Sequence, residues 1–176
     1  MDNSQRIPIA SRRLKKICSW LIFCFPLFVL YYWLFFNPLL REIRPLPFPV
    51  NDDLPNIYRY SALLIEMISI SVVVYGLLRL RELFSLYENG MIFTEKNVVC
   101  FRSMGWTLIV WTICNLIKDT LLSHVLPNDP PFPAHYMPIP IHLADVACIF
   151  VGIITIIIAW VMDEARKIHE DQSLFL

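Results

Sequence analysis

Apolar residues gather in four long runs, and polar residues collect between them. Ile17 to Phe36 holds 20 residues without a charge. Tyr60 to Leu78 is broken only by Glu66, and Ser103 to Leu126 carries Lys118 and Asp119 in its last third. Ile139 to Met162 carries His142 and Asp145 near its start. A helix needs about 20 mostly apolar residues to cross about 30 Å of hydrocarbon, and backbone groups in lipid must be satisfied within the fold. Runs such as Ile153-Ile154-Thr155-Ile156-Ile157-Ile158 lack the alternation of a barrel strand. The pattern predicts an all-α integral membrane bundle of four transmembrane helices, a single membrane domain over residues 1–176. The expected spans are about 17–36, 60–78, 103–126 and 139–162, with outer loops 37–59 and 127–138, a cytoplasmic connector 79–102 and a cytoplasmic tail 163–176.

A different period begins where the second run ends. Leu80, Leu83, Phe84 and Tyr87 fall at i, i+3, i+4 and i+7, with Arg81, Glu82, Ser85 and Glu88 on the other face. The second helix is therefore expected to continue beyond the membrane and to stop at Asn89-Gly90, since glycine takes the left-handed C′ conformation freely. Thr94 reads as the N-cap of the third helix, with Asn97 at N3. The connector is then a cytoplasmic helical hairpin, and its apolar stripe at Leu83, Phe84 and Tyr87 is a candidate docking surface for a partner. Leu174-Phe175-Leu176, after an acidic stretch, is expected to fold back on that stripe or to enter a partner's groove.

Prolines support the same layout. Eleven of the 13 lie in or beside the two outer loops, while Pro26 falls inside the first span and predicts a kink there. Basic residues set the orientation. Eleven of the 15 Lys and Arg fall in the N-terminal segment, the connector and the tail, and four on the other side, which places both termini in the cytoplasm. Trp20, Trp33, Trp106 and Trp160 fall near span ends, where indole rings favour the headgroup layer.

Composition removes several kinds of function. Fifteen basic residues are balanced by 15 acidic ones, leaving no positive excess for direct nucleic-acid binding. Four glycines and no GxGxxG leave no phosphate-cradling loop. Five cysteines without a CxxC pair point to soft apolar fillers, with Cys18 and Cys100 as palmitoylation candidates. His124, His135, His142, Asp129 and Asp145 are metal-ligating types at spacings that fit no zinc pattern, so neither metal nor cofactor is expected. No nucleophile stands beside a base and an orienting group, and no enzyme is expected. No GxxxG occurs, so the oligomeric state stays open.

Charges within the spans are the remaining chemistry. Glu66, Asn115, Lys118 and Asp145 lie at similar depth in the outer part of the bilayer, and a lone carboxyl group facing lipid is costly. They form a candidate intramembrane polar cluster, with Glu66 in the bundle interior near Lys118 or Asp145. The opposing reading has Lys118, Asp119 and Asp145 marking the membrane boundary and snorkelling outward.

The stretch Leu83-Phe84-x-Leu86-Tyr87-x-x-Gly90-x-Ile92-Phe93-Thr94-x-x-Asn97-Val98, followed by Arg102-x-x-Gly105-Trp106, resembles the signature of a bacterial inner-membrane family, domain of unknown function 2975. The ending from Ala159 to Leu176 is similar to that family's, with Ala165 and His169 departing from its pattern. The resemblance implies four spans in a bacterial inner membrane, no established activity, and a small cytoplasmic helix-turn-helix regulator as partner. Together these features predict a membrane-embedded sensor or regulatory interaction protein acting through its connector and tail. The alternative is an oligomeric transporter of a small ion or molecule using the polar cluster.

Overall fold

A computed structural model describes residues 3–35, 54–91, 94–126 and 141–173. Within them lie four helices and no strand: α1 (Asn3–Leu34), α2 (Asn56–Glu88), α3 (Glu95–Val125) and α4 (Leu143–Ser173). All four are long and apolar enough to cross a membrane. At 31 to 33 residues each, they run about 45–50 Å at 1.5 Å per residue. That exceeds the hydrocarbon thickness, so their ends project beyond it. Leu174, Phe175 and Leu176, the loop at 127–138 and most of the loop at 37–59 lie outside the described residues.

Helices that follow one another in sequence pack together: α1 on α2, α2 on α3, α3 on α4. In α1 the covered positions Ser11, Cys18, Val29, Tyr32 and Trp33 follow helical spacing toward α2. Salt bridges hold the far end of the same pair. Arg12 Nε lies 2.8 Å from Glu88 Oε1, Lys15 Nζ lies 3.2 Å from Glu88 Oε2, and Lys15 also donates to Ser85 Oγ at 3.1 Å. The polar segment before the first apolar run is thus helical from Asn3 and bonded to the projecting end of α2.

The third pair, α3 on α4, depends on missing side chains. Gly152 and Ala159, seven residues apart, are the buried residues among those described in α4. A Cβ on Gly105 would stand 2.7 Å from the Gly152 carbonyl oxygen and 2.6 Å from Ile156 Cγ1. One on Gly152 would stand 2.9 Å from the Gly105 carbonyl oxygen. Small residues permit this close backbone approach, which in lipid supplies the packing that a hydrophobic driving force cannot.

The end of the bundle holding Glu88 and Glu95 is the connector end. There α2 closes in a Schellman motif: Gly90 has φ +73°, its N–H donates to Tyr87 O at 3.1 Å, and Met91 N–H donates to Leu86 O at 3.0 Å. Thr94 occupies the N-cap position but makes no capping bond, which corrects its expected role. The Asn97 N–H that a capping hydroxyl would engage already donates to the Thr94 carbonyl at 3.0 Å. Asn97 serves instead as a tie across the turn, its Nδ2 donating to Met91 O at 2.8 Å. The docking stripe is also corrected in part. Leu83 is 3% exposed in a cluster with Leu86 and Cys100, against which Leu80, Tyr87, Phe101 and Met104 pack, and Phe84 is half-buried. The third helix returns antiparallel along the stripe and covers it.

The glycine crossing yields a direct test. Gly105→Ala should destabilise the α3–α4 pair by about 1–3 kcal/mol, because a backbone oxygen cannot step aside as a flexible side chain can. Unfolding of the purified protein in mixed micelles by SDS titration measures it; stability equal to wild type would contradict the close approach.

Candidate intramembrane ligand site

Glu66 lies in the core row of α2 with Ala62, Ser69 and Ile70, which is why a charged residue type is 2% exposed. One partner comes from α1. Trp33 Nε1 donates to Glu66 Oε2, and the indole, itself 1% exposed, is packed edge-on against Tyr32 at 5.4 Å between ring centroids. Val29, Ala62, Leu122 and Leu126 belong to the same buried cluster. Trp33 therefore departs from the interfacial role expected of it, whereas Trp20, Trp106 and Trp160 are all more than half exposed. A buried indole N–H needs an acceptor and a buried carboxyl group needs a donor, and each meets the other's requirement.

The expected four-residue cluster is rearranged. Lys118 is 9% exposed and does not snorkel; its Nζ pairs with the neighbouring Asp119 Oδ1 at 3.2 Å. Asn115 and Lys118 line one cavity together with Glu66. Asp145 is not among that cavity's lining residues. It accepts from the His142 N–H through Oδ2 at 2.9 Å, while the Asp145 N–H donates to His142 O at 2.9 Å. This reciprocal cap starts α4 at Leu143, four residues after the start of the apolar run. Depth alone grouped Asp145 with the others, and its capping role explains its place.

The cavity has a volume of about 440 Å³ and lies chiefly between α2 and α3, with Phe25 of α1 and Thr155 of α4 also in its wall. Glu66, Ser69, Asn115 and Lys118 mark its polar end, and Val73, Leu77, Leu80, Met104 and Leu108 line the rest. A larger cleft of about 550 Å³ runs beside Tyr75 and Trp106, two exposed rings. Both spaces are partly open, and the smaller is the better candidate site because Glu66, Ser69 and Lys118 in its wall are buried polar groups.

Ser69 is the residue that inspection of charges overlooks. Its Oγ is buried and has no hydrogen-bond partner among the described residues. The only sequence signal is position: Ser69 stands three residues after Glu66 on the same face of α2.

Loss of the Glu66 carboxyl group should be felt through Trp33. Glu66→Leu strands the indole N–H and should cost about 2 kcal/mol, while Glu66→Gln keeps an acceptor and should cost about 1 kcal/mol or less. The same SDS titration checks this; Leu at or above the stability of Gln would mean the bond contributes nothing.

No curated protein and no solved structure matches the chain. A protein-family model described as "Protein of unknown function (DUF2975)" matches residues 51–174, from just before α2 to the end of α4. The match includes the connector whose residues carried the resemblance and three of the four helices. The chain thus belongs to the DUF2975 family, whose description assigns no function.

Proposed function

We propose that this chain is a membrane-embedded sensor, in which occupancy of the cavity between α2 and α3 is read out at the connector. One observation carries the reading. Leu80 and Met104 line the cavity and also pack against the Leu83–Leu86–Cys100 cluster. Packed interiors transmit displacement because they have few voids to absorb it. Anything that spreads Leu80 from Met104 loosens the cover on Leu83, and the stripe at Leu83, Phe84 and Tyr87 then becomes available to a partner. The docking surface is thus conditional on the hairpin opening.

The remaining parts follow from the charge bias and the family resemblance. Both termini and the connector lie in the cytoplasm of a bacterial cell, with the spans in its inner membrane. The partner is a small helix-turn-helix regulator, engaged through the stripe and the apolar tail residues Leu174, Phe175 and Leu176. The chain binds and signals without catalysing a reaction. A second reading, an oligomeric transporter, draws on Glu66, Asn115 and Lys118 lining one cavity.

Cys100 offers a native reporter, being 1% exposed beneath the stripe, and its labelling in the denatured protein serves as the reference. Met104→Ala should cost about 2 kcal/mol of packing at the bridge and raise maleimide labelling of Cys100 in membranes by tenfold or more. Ser69→Leu, which changes the far end of the cavity, should alter that rate as well. A Cys100 rate unmoved by Ser69→Leu would uncouple cavity from connector, and a change in solute flux instead would put the transporter ahead.

A further inference from the structure

We infer that the cavity binds an amphiphile with an uncharged, hydrogen-bonding head group, the head at Ser69 and Asn115 and an apolar chain directed toward Leu80 and Met104. The inference rests on the sensor reading and names the class of molecule sensed.

The Ser69 hydroxyl is the first reason. A hydroxyl in a helix ordinarily bonds a carbonyl one turn back, and Ser19, Ser71, Thr107, Thr112, Thr120 and Thr155 all do so at 2.6–3.0 Å. Ser69 does not. Its residue is 3% exposed, it lines the cavity, and its Oγ has no partner among the described residues. A buried polar atom without a partner is costly; the residue lines the cavity, and rotation of its hydroxyl toward that space lets a ligand hydroxyl or carbonyl relieve the cost. The Asn115 side-chain amide, a donor and acceptor in one group, lines the same end.

Charge selects the head. Lys118 already faces Asp119 at 3.2 Å, and Glu66 already accepts from Trp33. An anionic head brought to this end meets the Glu66 carboxyl group, and a cationic head meets the Lys118 ammonium. Either adds a buried charge to a site that holds both signs. An uncharged head with donors and acceptors adds none.

Shape selects the chain. Glu66 to Leu80 on α2 and Lys118 to Met104 on α3 each span 14 residues, about 21 Å at 1.5 Å per residue. One leaflet of the hydrocarbon core is about 15 Å deep, so the space takes the length of a membrane-lipid chain. The wall along that length is apolar, from Val73 and Leu77 on α2 to Leu108 and Met104 on α3, as a hydrocarbon chain requires. Gly76 lies along this path, and there Thr107 Cγ2 of α3 stands 2.8 Å from where a Cβ would be, which marks its narrow point.

The test uses the full chain in lipid nanodiscs and three photoactivatable amphiphiles sharing one C16 chain, which bears the reactive diazirine. Their heads are glycerol, carboxylate and trimethylammonium. Mass spectrometry maps labelling at Val73, Leu77 and Leu108 against the lipid-facing Leu64 and Ile68. The expected result is preferential labelling of the cavity positions by the glycerol probe, competed by unlabelled hexadecanol. Ser69→Ala combined with Asn115→Ala should reduce it roughly tenfold, the effect of losing two ordinary hydrogen bonds. Far-UV circular dichroism and monodispersity show that the variant is folded; if it is not, Ser69→Ala alone should give a severalfold reduction. Cavity labelling no stronger than at Leu64 and Ile68, equal labelling by a charged probe, or labelling indifferent to the substitutions overturns the inference. Maleimide labelling of Cys100, measured with and without hexadecanol, separates the two claims. Head-group preference with an unmoved Cys100 leaves the ligand class standing and removes the sensor. No preference, with Cys100 still responding to Ser69→Leu, does the reverse.

Discussion

A carboxyl group inside an apolar helix pair needs a hydrogen-bond donor, and in this protein the Trp33 indole brings one from another helix. The bond fixes more than one side chain. It places the last turn of α1 against the second turn-pair of α2, and the salt bridges from Arg12 and Lys15 to Glu88 fix the opposite end of the same contact. The 21 residues from Arg12 to Trp33 run beside the 22 from Glu66 to Glu88, so the two helices lie antiparallel in near-constant register. The two anchors differ in strength. Arg12 has a side chain 68% exposed and its pair is screened by water, whereas the Trp33–Glu66 bond is buried at both ends.

With α1 and α2 aligned, the rest of the arrangement has a physical order. Helix α3 returns along α2 from the Schellman turn at Gly90, so Cys100, Phe101 and Met104 cover the stripe that left the membrane uncovered. Its other side meets α4 at Gly105 and Gly152, where backbone touches backbone. Between α2 and α3 the side chains do not fill the space, and the resulting cavity joins the Glu66 end to the connector end through residues that belong to both. A rigid contact at one boundary, a tight crossing at another and a compressible space between them is an arrangement in which occupancy can shift one helix relative to its neighbour.

Much of this was legible in the chain, and what was not has a common cause. Hydropathy alone identifies four spans, because the bilayer imposes a length and an apolar character on each. The continuation of α2 past Leu78 and its stop at Gly90 follow from local periodicity and from glycine's freedom at positive φ. Contacts between helices are another matter, since they depend on rotation and register, which hydropathy does not encode. Trp33 near a span end has the profile of a headgroup anchor, yet its rotation on α1 points it at Glu66. Asp145 lies at the depth of Glu66, yet the start of α4 claims it as a cap. Lys118 finds its ion-pair partner one residue away, not on a neighbouring helix. Ser69 carries no charge, so its significance emerges only from the absence of a bond that other helical hydroxyls make.

The Trp33 indole proton reports on the central contact most directly. In a 15N-labelled sample in nanodiscs, the five tryptophans give five indole N–H resonances, assigned by single Trp→Phe substitutions. The account predicts that the Trp33 resonance lies well downfield, resists exchange with deuterated solvent, and moves upfield in Glu66→Leu while the other four stay in place. A Trp33 indole that exchanges as freely as those of Trp20 and Trp160, or that ignores the loss of the Glu66 carboxyl group, would contradict it.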